Sequence, residues 1–214
     1  MQLDAHLHPL RLATRFAVVS VAILWLAHHF ERAFVEPMIP AFRTVTTIIG
    51  TDFDILEMVI ASQESNETLR VRADFSHPVF VTGRFIYPFK GQGWMQADLT
   101  LGGILQYALF TLIIVVAWPA SRRELALRLV TLAPLLAIFL AIQVSTTILA
   151  QFWFPVQKEI DPNSHWPLLV WSRFLMGGGG LAFALLLAVF IIALTKKWPR
   201  AVGQTYGNRF IASS

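Results

Sequence analysis

Four stretches of this chain carry almost no charge, and they decide most of what it can fold into. They are Phe16 to Phe30 (extended at its start by Leu10 to Thr14), Leu101 to Trp118, Leu129 to Phe154 and Trp166 to Thr195. Each is near the ~20 residues that an α-helix needs to cross ~30 Å of hydrocarbon at ~1.5 Å per residue. The central parts of the last three contain no Asp, Glu, Lys, Arg or His. With 56% of its 214 residues hydrophobic, 14% charged and a mean hydropathy of +0.59, the chain is too apolar for an ordinary soluble domain. The expected fold is mainly α, a polytopic membrane protein with about four transmembrane helices. The first stretch is short in its purely apolar part. "AHHFERA" is nevertheless a poor small-residue cleavage site, so this stretch is expected to stay as an anchor.

Charge placement gives an expected orientation. With both termini inside, the inner segments hold Arg11, Arg15, Arg122, Arg123, Arg128, Lys196, Lys197, Arg200 and Arg209 against only Asp4 and Glu124. The outer segments then carry more acids than bases. The loop Pro119 to Arg128 is short, so its three arginines weigh most under the positive-inside rule. The basic pI belongs on this reading to a cytoplasmic face attracted to anionic lipid, and no nucleic-acid partner is expected. The chain contains no cysteine, which removes disulfides, thiolate metal sites and cysteine nucleophiles together.

Ahead of the first span, "LDAHLHP" alternates Asp4, His6 and His8. Such a run resembles the first metal-binding strand of the barrel-shaped amidohydrolases, a fold that needs eight strand–helix units and roughly 250 residues. No such barrel follows. A polar tail is the expected reading, with weak metal capture by His6 and His8 as the alternative.

Between the first two spans lies the one substantial water-facing region, residues 31–100. Its first part, "ERAFVEPMIPAFRTVTTIIG", repeats Phe34, Met38 and Phe42 four apart, with Pro37 and Pro40 breaking any long helix. It is expected to lie along the outer membrane surface. From Phe53 the period becomes that of strands. In "TLRVRADF", Leu69, Val71, Ala73 and Phe75 face one way, opposite Thr68, Arg70, Arg72 and Asp74. "FDILEMVIAS" is the expected partner strand, and "PVFVTGRFIYP" a third, with a bulge at Gly83. The division is then 1–30, a cytoplasmic tail and first helix; 31–100, a periplasmic amphipathic segment and small β-rich insertion; 101–195, three membrane helices; and 196–214, a cytoplasmic tail.

Candidate sites lie inside or beside the membrane. Gln143, Thr147 and Gln151 are spaced by four and share a face of the third span. They are expected to point into the bundle, either as interhelical hydrogen bonds, with Gln106 a candidate partner, or as the lining of a substrate path. Gly177, Gly178, Gly179 and Gly180 favour close helix packing or a hinge. His28 with Glu31, and His29 with Arg32, are expected to pair as snorkelling interfacial side chains, a metal or proton site being the alternative. Trp118, Trp153, Trp166, Trp171 and Trp198 look like interface anchors. No phosphate-binding loop, zinc-protease helix or nucleophile elbow is present.

One membrane anchor, a small extracytoplasmic insert, a span ending "AWP" and followed by "SRRELALR", then a third span with a glutamine stripe and a fourth reaching towards the C-terminus: this layout resembles the exosortase H-associated membrane proteins. The resemblance implies an accessory role beside a protein-sorting transpeptidase in a bacterial inner membrane, and it brings no catalytic residues with it. The expectation is a noncatalytic accessory or structural subunit of such a membrane complex. Its partners are membrane lipids and other integral membrane subunits, and it needs no cofactor or metal. Arg70, Arg72, Arg84 and Tyr87 are the expected outer-face contacts. The alternative is a small transporter or lipid-handling protein using Gln143, Thr147 and Gln151. A third reading is an outer-face enzyme around His28, Glu31 and His77.

Overall fold

The computed structural model describes residues 9–63, 66–89, 94–160, 162 and 166–210. Asp4, His6 and His8 lie outside the described residues. Helix α1 runs Pro9–Val35, a 3-10 turn Glu36–Met38 follows, and α2 covers Ile39–Ile49. Strands β1 (Phe53–Gln63), β2 (Asn66–Phe75), β3 (Val79–Val81), β4 (Arg84–Ile86) and β5 (Met95–Thr100) come next. Helices α3 (Leu101–Ala117), α4 (Arg122–Ile160), α5 (Pro167–Phe174), a π-helical turn Leu175–Gly179 and α6 (Gly180–Phe210) complete the order. Three helical stretches are long and apolar enough to cross a membrane: Leu10–Ile49, Arg122–Ile160 and Pro167–Lys196. The fourth apolar helix, α3, has 17 residues, just short of a comfortable span.

The chain divides into two compact units, one from Met1–Leu26, Tyr107–Leu136 and Leu181–Ser214, the other from Ala27–Gln106 and Ala137–Gly180. The core of the first is helical. Ile114 and Val115 of α3, Leu132 of α4, and Ala188, Ile191 and Ile192 of α6 are buried together, with Phe16 of α1 packed against them. Small residues allow close approach here: Ala184 and Ala188 are fully buried, and the Thr111 hydroxyl reaches the Ala184 carbonyl at 3.3 Å.

The junction between α3 and α4 departs from the expected loop. Ser121, Arg122, Arg123 and Glu124 have the spacing of a capping box. The Ser121 hydroxyl accepts the Glu124 N–H at 3.2 Å, so α4 starts at Arg122. Arg122, Arg123 and Arg128 therefore sit on a helix, and Arg128 is fully buried. Its guanidinium donates to the Trp118 carbonyl (3.2 Å), the Val115 carbonyl (3.4 Å), the Thr195 hydroxyl (3.3 Å) and the Glu124 carboxylate. The last carbonyls of a helix lack intrahelical donors and carry the negative end of its dipole. Arg128 meets both needs at the end of α3, and Arg15 adds a hydrogen bond to the Val116 carbonyl at 3.2 Å. A buried arginine paired with Glu124 adds no net charge to a surface. The basic weight of this junction falls on the exposed Arg122 and Arg123.

The second unit is built on a three-stranded antiparallel sheet in the order β1-β2-β5. Cross-strand pairs Phe53 with Phe75, Ile55 with Ala73, and Met58 with Val71 line one face, as do Leu69 with Leu99 and Val71 with Ala97. Leu69, Val71 and Ala73 are fully buried, as the strand alternation of β2 requires. A bulge at Leu56 shifts the phase of β1. With strict alternation Glu57 would follow Phe53 and Ile55 into the core. The extra residue turns Glu57 out and Met58 in.

Three expectations about this region change. The third strand of the sheet is β5 rather than "PVFVTGRFIYP". "PVFVTGRFIYP" instead forms the separate hairpin β3–β4, and Gly83 sits in its turn rather than in a bulge. Thr82 and Gly83 both have positive φ (42° and 85°), the conformation that a two-residue hairpin turn demands. Finally, Pro37 and Pro40 lie in first-turn positions, where proline needs no N–H. They divide the helical path without ending it. The main irregularity in α1 is Phe30 (φ −125°, ψ 15°). Val35, Phe42 and Thr46 form the buried side of this path, and Phe34 is exposed.

Candidate functional site

The second unit carries two surfaces whose side chains lack internal partners. One is the β3–β4 hairpin. Its rings stand in solvent: Phe80 is 61%, Phe85 60% and Tyr87 65% exposed. Phe80 and Phe85 face each other across the hairpin with centroids 4.9 Å apart, and Phe85 continues to Tyr87 at 6.3 Å. The hairpin is held by its stem, where Asp74 accepts the N–H groups of Phe75 (2.7 Å) and Phe89 (2.9 Å). Arg84 is exposed beside these rings, with no ion-pair partner among the described residues.

The four expected contact residues are thus split between two sheets. Arg84 and Tyr87 belong to the exposed hairpin. Arg70 and Arg72 lie on the central strand β2 and are already engaged. Arg70 pairs with Asp98 at 3.0 Å and Arg72 with Glu57 at 3.0 Å, while the Arg72 guanidinium lies 5.0 Å over the Trp94 ring. These are cross-strand pairs that hold the polar face of the sheet together.

The second surface is a cavity of about 360 Å³, open on one side. Ala150, Gln151 and Phe154 of α4 line it with Leu169, Ser172 and Arg173 of α5, Met176 of the π-helical turn and Gln96 of β5. Its wall is mainly apolar. Ser172 is only 5% exposed, and its hydroxyl has no hydrogen-bond partner among the described residues. The Gln151 amide and the Arg173 guanidinium likewise make no hydrogen bond or ion pair among those residues. Gln96 is committed to Asp98 at 2.6 Å.

Of the expected stripe, only Gln151 reaches this cavity. Gln143 is 8% exposed, and its side-chain oxygen has no partner. The Thr146 and Thr147 hydroxyls turn back to the Gln143 carbonyl of their own helix, and Gln106 is exposed. The hydroxyl contact that α4 does make runs through Ser145. Thr46 and Ser145 lie 3.0 Å apart, and both reach the Phe42 carbonyl. Trp153 packs among Phe53, Phe75 and Trp166 at 5.1–5.9 Å, in an aromatic cluster that joins α4 to the sheet.

The glycine run lies next to the cavity. Gly178 has φ +111° inside the π-helical turn. A Cβ built at Gly177 or Gly178 meets nothing within 4 Å, whereas one at Gly179 would strike Phe174 of the preceding turn. Gly178 therefore supplies a backbone conformation that L-residues rarely adopt. Single π-helical turns of this kind recur beside functional sites.

The described histidines, His28, His29 and His77, form no convergent centre among the described residues. His28 and His29 stack edge to face at 5.6 Å, and Arg32 pairs with Glu36 (3.4 Å) and Glu67 (3.6 Å). Ser76, His77 and Asp52 form a chain with the outline of a nucleophile triad: Ser76 Oγ is 2.7 Å from His77 Nδ1, and His77 Nε2 is 3.5 Å from Asp52. The Ser76 hydroxyl also lies 3.0 Å from the Thr51 carbonyl, which competes for its proton. The chain staples the end of β2 to the turn before β1. Among the described residues no three His, Asp or Glu side chains gather as a metal-binding group.

Sequence reasoning missed the buried Arg128 cluster and most of the cavity. Arg173 was the available signal for the latter, as the only charged residue in the fourth apolar stretch. Comparison with protein-family models, curated proteins and solved structures finds no match to this chain.

Proposed function

We propose that this chain is a multi-pass protein of a bacterial inner membrane and a noncatalytic accessory subunit that docks a partner through the β3–β4 hairpin. The first, third and fourth apolar stretches meet the length and composition of spans, and α3 completes the expected four. The exposed cations Arg11, Arg15, Arg122, Arg123 and Lys196 favour a cytoplasmic position for both termini. The layout shared with exosortase H-associated proteins extends the proposal to protein sorting.

One observation carries the docking role. Phe80, Phe85 and Tyr87 form a continuous aromatic ridge that the described residues leave exposed, and Arg84 beside it has no ion-pair partner among those residues. Exposed aromatic patches that include arginine are the usual anchors of protein interfaces. A photo-crosslinker placed at Phe85 in native membranes is expected to capture one neighbour stoichiometrically, and Tyr87→Ala with Arg84→Ala should abolish capture. A monodisperse chain with no crosslinked neighbour would overturn the docking role.

A second reading, a small transporter or lipid-handling protein, draws on the cavity that Gln151 lines. It predicts substrate-dependent flux in reconstituted vesicles that is lost when Gln143, Thr147 and Gln151 are all replaced by Leu. Loss of stability without any flux would leave these residues a packing role.

A further inference from the structure

We infer that the cavity between α4, α5 and β5 is a binding site for an anionic lipid, taking its phosphate-bearing headgroup at Arg173 and the start of its hydrocarbon chain along the apolar wall. The inference rests on the membrane placement proposed above and is independent of the hairpin's partner.

The polar lining is chemically specific. Arg173 presents a planar fork of donors suited to two phosphate oxygens at once. The Ser172 hydroxyl and the Gln151 amide add neutral donors from the neighbouring helix positions. Among the described residues none of the three makes a hydrogen bond or ion pair, and no described carboxylate pairs with Arg173. Arg173 is exposed, so an incoming anion meets a cation with no described ion pair to break. Free phosphate alone would leave the rest of the lining unused. Ala150, Phe154, Leu169 and Met176 offer a hydrocarbon wall on one side of the polar group. A volume of about 360 Å³ holds a headgroup and the beginning of a chain, and the open side lets the tail run out. Arg173 is also at the seventh position of α5, two residues before the π-helical segment that begins at Leu175. Met176 on that segment lines the cavity.

The test uses the full chain purified in a neutral detergent and examined by native mass spectrometry. Three probes are offered separately: phosphatidylglycerol, phosphatidylcholine with the same acyl chains, and inorganic phosphate. The expected result is retention of phosphatidylglycerol at least roughly tenfold above phosphatidylcholine, the scale of one charge-assisted hydrogen-bonded pair. Arg173→Gln should remove that preference. Ala150→Phe, which fills the cavity and keeps the charge, should reduce retention of phosphatidylglycerol as well. Arg84→Gln, an exposed arginine on the hairpin, should leave the preference intact. Circular dichroism and gel filtration of each variant establish that it is folded. Equal retention of the two lipids, or an unchanged preference in folded Arg173→Gln, overturns the inference. Inorganic phosphate competing at concentrations equal to the lipid overturns it too, because the hydrocarbon wall would then contribute nothing. Alkaline carbonate extraction of native membranes tests placement separately: release of the chain sinks the membrane reading, whereas retention with no lipid preference sinks the site alone.

Discussion

The two sheets of the second unit use the same residue types to opposite ends. In β1-β2-β5, Phe53 and Phe75 are buried against Trp153, and Arg70 and Arg72 are paired with Asp98 and Glu57. In β3–β4, Phe80 and Phe85 are exposed and Arg84 has no ion-pair partner among the described residues. Buried aromatics and paired arginines hold a fold together. The same groups left uncovered cost the isolated chain free energy through exposed apolar area, which only a covering surface recovers. On the function proposed above, the first sheet is scaffold and the hairpin is contact.

Three substitutions would sharpen or break that contrast. Leu69→Ala, at a fully buried position between β1 and β5, should cost about 2–5 kcal/mol in denaturant unfolding. Arg70→Ala should cost at most about 1 kcal/mol, because the Arg70–Asp98 pair is a quarter to a third exposed and water screens it. On the hairpin, Phe80→Ser should change stability by no more than about 0.5 kcal/mol while weakening partner capture. If Phe80→Ser destabilises as much as Leu69→Ala, the hairpin is scaffold too and the contrast fails.

Much of this was legible in the sequence, for physical reasons that also explain the misses. The strand β2 announces itself through Leu69, Val71, Ala73 and Phe75, because one buried face imposes a period of two. The helices announce themselves by length and lack of charge. Strand β5 hides because Met95, Ala97 and Leu99 run directly into the apolar α3 with no turn residue between them. The hairpin turn hides because Thr82 is a β-branched residue at positive φ, which local preference disfavours. Arg128 reads as one more solvated loop cation, with only Glu124 four residues earlier to hint at pairing. The cavity draws Gln96, Gln151 and Arg173 from three separate segments, and no local pattern carries such a convergence. The glutamine stripe was visible as a pattern, but helix geometry fixes only that its members share a face, not what they meet.

Gly178 has a consequence that concerns handedness. At φ +111° and ψ −11° its backbone occupies territory that L-residues avoid and D-residues accept, and open space surrounds its missing side chain. Installed by chemical synthesis, D-alanine at position 178 should leave the π-helical turn intact, whereas L-alanine should disfavour it by about 1–2 kcal/mol. A mirror-image pair of methyl groups, identical in volume and polarity, would then separate the shape of this turn from everything else the residue does.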